Sequence, residues 1–120
     1  MLVVAGSVHA ADVPYVSGGV GTDERAELLA KEKDHNLKIV VAEESGDFLA
    51  DVQVVIESAK KEQMLDATMA GPILLAKLPP GTYTIKATSE LKTLTKTVTV
   101  PAQGLRTVDF RWPKSPNEKN

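Results

Sequence analysis

The chain contains no cysteine. Disulfides, thiol nucleophiles and thiolate metal sites are therefore excluded. Aromatic side chains make up only 4% of residues, which leaves no platform for stacking bases or sugars. Neither sign of charge dominates. The net charge of −2 offers no basic face to nucleic acid. Histidine is sparse: His9 and His35 are the two in the chain. No apolar run approaches the ~20 residues that span a bilayer. What remains suffices for one domain. With 42% hydrophobic residues in 120, a core can be built from Val, Ile, Leu and Ala.

The opening residues differ from the rest. Leu2-Val3-Val4-Ala5-Gly6-Ser7-Val8 is a short apolar run, followed by Val8-His9-Ala10. Small or compact residues three and one before a cut are what signal peptidase accepts. Residues 1–10 are expected to be the remnant of a secretory signal peptide, cut after Ala10. The positively charged stretch that opens such signals is missing, which points to a misassigned start or a trimmed chain. The alternative is a buried strand with an incidental Val-His-Ala. Cleavage implies export, to the periplasm or beyond the cell.

Residues 11–36 read as a loop and a helix. Pro14 to Gly21 holds too much glycine for a regular element. Thr22 is a candidate N-cap, and Asp23 and Glu24 suit the positive end of the helix dipole. The spacing predicts a helix over 23–34 with a narrow apolar stripe, stopped by Asn36. From Leu37 the period becomes two. Leu37, Ile39 and Val41 alternate with Lys38, Val40 and Ala42. Later runs follow at 52–57, 63–69, 73–77, 82–88, 93–100 and 106–112, with turn residues between them. Along 93–100, threonines alternate with Leu94, Lys96, Val98 and Val100. Lys96 falls on the inward face, as at a protected sheet edge. Residues 113–120 are polar and read as a disordered tail. Seven short strands without intervening helices predict a mainly β chain: an antiparallel β-sandwich over 37–112 with one N-terminal helix.

The most informative stretch is Leu78-Pro79-Pro80-Gly81-Thr82-Tyr83. Two prolines and a glycine make a stiff corner, and Tyr83, Ile85 and Ala87 leave it on one face of a strand. With Leu49-Ala50-Asp51-Val52-Gln53-Val54 and Gly71-Pro72-Ile73-Leu74, this corner resembles the carboxypeptidase regulatory-like domain over residues 37–112. The resemblance implies a seven-stranded transthyretin-like sandwich with Pro79, Pro80, Gly81 and Tyr83 as its fold-defining turn. Ser17-Gly18-Gly19-Val20-Gly21-Thr22-Asp23-Glu24-Arg25 is similar to the start of small exported proteobacterial proteins of this type. Such domains mostly act as non-catalytic modules in folding, adhesion or contact with protein and carbohydrate. The fold's enzymatic relative, 5-hydroxyisourate hydrolase, needs histidines, an arginine and a C-terminal Tyr-Arg-Gly-Ser. This chain has Phe110-Arg111-Trp112-Pro113 instead, so that activity is rejected.

The residues themselves carry little chemistry. His35 is the one histidine beyond the leader, and no G-x-S-x-G elbow accompanies it. At a helix end it more often serves a backbone carbonyl. Gly18-Gly19-Val20-Gly21 before a helix invites an anion reading, but no lysine follows and Asp23 and Glu24 occupy the place of the anion. Glu43, Glu44, Asp47 and Asp51 form an acidic turn, a weak candidate for calcium because the spacing matches no EF-hand. Thr93, Thr95, Thr97 and Thr99 read first as a solvent face, since threonine favours strands. The alternative is an edge or flat face that pairs with another chain. The expectation is a non-enzymatic exported module of the cell envelope, without cofactor or metal. Its partner would be an envelope protein or a carbohydrate, and homodimerisation by edge-strand pairing is a further expectation. The competing reading is a small hydrolase or calcium-dependent protein using the sandwich's loop end.

Overall fold

The computed structural model describes residues 13–44, 51–90 and 92–113. The expected leader remnant 1–10 and the tail from 114 lie outside them, as do Asp47 and Phe48. The described chain is mainly β. Eight strands form two four-stranded sheets, with one α-helix. The first sheet runs β1 (Tyr15–Gly18), β5 (Ile73–Ala76), β2 (Leu37–Glu43), β8 (Arg106–Trp112) in spatial order. The second runs β4 (Gln63–Thr68), β3 (Gln53–Ser58), β6 (Gly81–Ser89), β7 (Lys92–Val100). Helix α1 (Thr22–Lys31) and a 3-10 turn (Glu32–Asp34) join β1 to β2.

The period of two decides which side chains meet. Leu37, Ile39 and Val41 of β2 are fully buried, as are Val54 and Ile56 of β3. Tyr83, Ile85 and Ala87 of β6 and Val108, Phe110 and Trp112 of β8 join them in a single cluster fed by both sheets. Phe110 and Trp112 pack with ring centroids 6.2 Å apart, tilted by 35°. Burying a side chain of this size contributes roughly 1.5–3 kcal/mol each, which is where the fold's stability resides.

Two expectations need correction. Tyr15–Gly18, expected as part of a loop, is an eighth strand among the described residues, beside the seven within 37–112. It pairs antiparallel with β5, from Tyr15↔Ala76 to Gly18↔Ile73. Nor is the assembly wholly antiparallel. β8 runs parallel to β2, from Leu37↔Arg106 to Glu43↔Trp112. A period of two fixes which face a residue takes but says nothing of the direction of its neighbour, so the sequence pattern could not distinguish these pairings.

The helix is shorter than the predicted span 23–34, since its last turn tightens into the 3-10 turn. Thr22 does not cap it. Gly21 is the N-cap residue and no side chain caps the first turn. Leu28 is the one buried residue of α1.

The sandwich has two open sides. On one, the outer strands β1 and β4 approach each other. Val13 donates its N–H to the Met64 carbonyl of β4 at 3.1 Å, while the Pro14 carbonyl accepts from Lys77 N at 3.1 Å. The chain then enters β1, so backbone alone straps that side. On the other side, β7 and β8 are joined by side chains. Lys96 Nζ donates to the Asp109 carbonyl and sits 5.4 Å from the centroid of the Phe110 ring. Trp112 Nε1 donates to the Lys92 carbonyl at 3.1 Å. Lys96 is the inward-facing charge of the sequence pattern, opposite Ile85 in the register.

Candidate functional site

The proline corner is held by two polar clamps. Tyr83 Oη donates to the Pro79 carbonyl at 2.6 Å, closing the corner onto its own strand. Burial of the phenol raises its pKa above the usual value of 10.0 by penalising the phenolate. The second clamp is Asn36. Its Nδ2 donates to the Leu78 carbonyl at 2.6 Å, and its Oδ1 accepts from Leu78 N at 2.9 Å. Its backbone also donates to the Ala76 carbonyl and accepts from Arg106 N. Asn36 thus ties the starts of β2 and β8 to the end of β5 and to the corner. The corner residues Pro79, Pro80, Gly81 and Tyr83 line a shallow cavity of about 320 Å³ with the β3–β4 turn, where Ser58 Oγ accepts from Lys60 N and Glu62 N. These groups are satisfied by one another, which makes the corner a structural joint.

The glycine loop before α1 holds an anion of the chain's own. Glu24 Oε1 accepts from Gly19 N and Val20 N, each at 2.9 Å, and Arg25 Nε donates to the Gly19 carbonyl at 2.9 Å. Successive backbone N–H groups do bind anions. Here the carboxylate of Glu24 fills the place, so the Ser-Gly-Gly-x-Gly-x-x-Glu-Arg pattern is a loop closed on its own carboxylate. A Cβ on Gly18 would lie 2.8 Å from Glu24 Cδ, and one on Gly71 would overlap the Gly18 carbonyl. Gly71 is required by its close approach to backbone, whereas the neighbour of Gly18 is the end of the Glu24 side chain.

His35 lines a cavity of about 400 Å³ with Leu29, Glu32, Lys33, Gly104 and Leu105. Its Nδ1–H donates to the Lys31 carbonyl at 2.7 Å, closing the end of α1. Glu32, the carboxylate in the same cavity, is paired with Lys38 at 2.6 Å. His35 and Glu32 are thus each held by a partner that does not line the cavity.

Of the acidic turn, Glu43 ends β2 opposite Trp112, Glu44 N donates to the Trp112 carbonyl at 2.8 Å, and Asp51 N donates to the Met69 carbonyl at 2.9 Å. Asp47 lies outside the described residues. Among the described residues no group of three or more His, Asp or Glu is placed to hold a metal ion, and no buried side-chain polar atom lacks a hydrogen-bond partner.

The threonines gather where the sequence alone could not place them together. The β6–β7 register sets Thr82 opposite Thr99, Thr84 opposite Thr97, Lys86 opposite Thr95 and Thr88 opposite Thr93. The hydroxyls of Thr88 and Thr93 are hydrogen-bonded at 2.7 Å, and those of Thr82 and Thr99 lie 3.4 Å apart. Lys86 is the one charge in this double row, and Glu57 of β3 lies 3.6 Å from it. Asn36, Glu24 and Gly71 are the residues that sequence reasoning passed over in these roles. For Glu24 the signal was present in its spacing from the glycines. For Asn36 and Gly71 the partners are distant in sequence, and no local signal exists.

No protein-family model matches the chain, and no curated protein matches its sequence.

Proposed function

We propose that the chain is a non-enzymatic, exported β-sandwich of the carboxypeptidase regulatory-like type, seven-stranded and transthyretin-like over residues 37–112. In this reading it serves as a binding or structural accessory module of the cell envelope. The observation that carries the binding role is the double threonine row of β6 and β7. It presents methyls and hydroxyls with one partnered lysine, and β7 is an outer strand of nine residues. Hydroxyls cost less to desolvate than charges and can bond to a partner, and an outer strand offers backbone groups to an added one. An envelope protein or carbohydrate would be met there.

The test is capture from envelope extract with residues 11–120, comparing the native sequence with a Thr95→Glu/Thr97→Glu variant. The reading expects a specific partner that the variant no longer retains. Equal capture by both, or none by either, overturns it. A light-scattering mass recorded alongside separates partner binding from homodimerisation through the same edge.

A further inference from the structure

The β1–α1 arm is built differently from the rest of the molecule. Its helix buries one residue, Leu28, and packs chiefly against β1 and the 3-10 turn. A ten-residue helix is marginal by itself. The large apolar side chains left exposed among the described residues are Tyr15, Val20 and Leu29, all in the arm, with Leu29 at 66%. Where the end of α1 meets the loop before β8, the two enclose the cavity of about 400 Å³ and do not pack closely. The arm is attached mainly through the four-residue ladder of β1 on β5.

Beneath the arm lies an apolar strand, Ile73-Leu74-Leu75-Ala76. Its seat is shaped for one particular sequence. The Ala70 N–H donates to Ser17 Oγ at 3.0 Å. The Gly18 carbonyl lies where a Cβ of residue 71 would be, so only glycine fits there, and a Cβ on Gly19 would press on Ile73 at 3.2 Å. A strand carrying this Ser-Gly-Gly fits the seat. The segment certain to carry it is that of another copy of this chain. The hinge is the 3-10 turn Glu32–Asp34 followed by extended His35, directly before the Asn36 anchor. Short 3-10 stretches are frequent at helix ends and as connectors.

We infer that β5 is a strand-acceptor site occupied in cis by β1, and that the β1–α1 arm exchanges between copies to give an arm-swapped dimer. Each swapped seat repeats the contacts of the closed monomer, so the hinge and the concentration set the balance. The site lies on the side of the sandwich away from β7, and so stands apart from the β6–β7 reading.

The absence of cysteine makes a clean test available. Val16 and Leu75 face each other across the ladder. Full-length Val16→Cys and Leu75→Cys variants are mixed at high concentration, incubated and oxidised. Exchange predicts a reductant-sensitive dimer in which position 16 of one chain is joined to position 75 of another, identified by mass spectrometry. The double variant in one chain, oxidised when dilute, shows that the pair can close. Closure in the double variant without any mixed-chain bond overturns the proposal. If Leu75→Cys fails to fold, mixing isotopically light and heavy native chains under the same conditions decides the matter. Dimers containing both masses, which part only on warming, support exchange. A monomer throughout contradicts it.

Discussion

The two open sides of this sandwich are closed by different means. On the β1–β4 side, backbone crosses from one sheet to the other: Val13 bonds to β4 and Tyr15–Gly18 pairs with β5. On the β7–β8 side, two side chains reach across, Lys96 to the Asp109 carbonyl and Trp112 to the Lys92 carbonyl. The strap makes more hydrogen bonds, yet it belongs to an arm that contributes few buried apolar atoms. The β7–β8 side makes fewer, yet Trp112 and Phe110 are anchored in the core. Hydrogen bonds contribute about 1 kcal/mol net apiece, while a buried large apolar side chain contributes roughly 1.5–3. The side with fewer hydrogen bonds is therefore the more secure.

The largest expected effect breaks the strap. In Gly71→Ala the new methyl meets the Gly18 carbonyl, and the overpacking should cost about 3 kcal/mol. The loss should fall on the arm. Amides of β1 and α1 would lose protection from hydrogen exchange, while those of β3 and β6 keep it. Asn36→Ala marks the boundary between arm and sandwich. It strands the N–H and carbonyl of Leu78 and should cost about 2 kcal/mol in denaturant titration, with the loss falling on the sandwich. Tyr83→Phe removes the bond to the Pro79 carbonyl, at about 1 kcal/mol near neutral pH.

The same residue gives the pH dependence. The folded state holds the Tyr83 phenol neutral above its usual pKa of 10.0, because burial disfavours the phenolate. The unfolded chain releases that proton first. The stability from this group is full below pH 10 and declines as pH rises toward the folded value. Melting temperatures measured from neutral to strongly alkaline pH should fall less in Tyr83→Phe than in the native chain. The smallest effect sharpens the β7–β8 side. Lys96→Met removes an exposed cation over Phe110 and its bond to the Asp109 carbonyl, and should cost about 0.5 kcal/mol.

Legibility in the sequence followed the same divide. The strands of the core were readable because alternation reports burial directly: Leu37, Ile39 and Val41, then Tyr83, Ile85 and Ala87, then Val108, Phe110 and Trp112. The arm was not. Tyr15-Val16-Ser17-Gly18 alternates in nothing and leads into glycines, and its strand conformation comes from the β5 partner. By its position Glu24 suits the positive end of the helix dipole, whereas its carboxylate turns back onto the loop. Asn36 stands where a helix stop is expected. Its role in clamping Leu78, forty-two positions away, has no local signature. The threonines of β7 were visible in sequence, but only the register joins them to those of β6.

The most direct test of this divided construction is native-state hydrogen exchange resolved by residue. The arm is predicted to open separately. Amides of β1 and α1 should exchange through an opening well below the global unfolding free energy, while those of β2, β3, β6 and β8 exchange only with global unfolding. Arm amides that share the core's opening free energy would contradict the account, because the arm would then be part of the sandwich and not a separable strap.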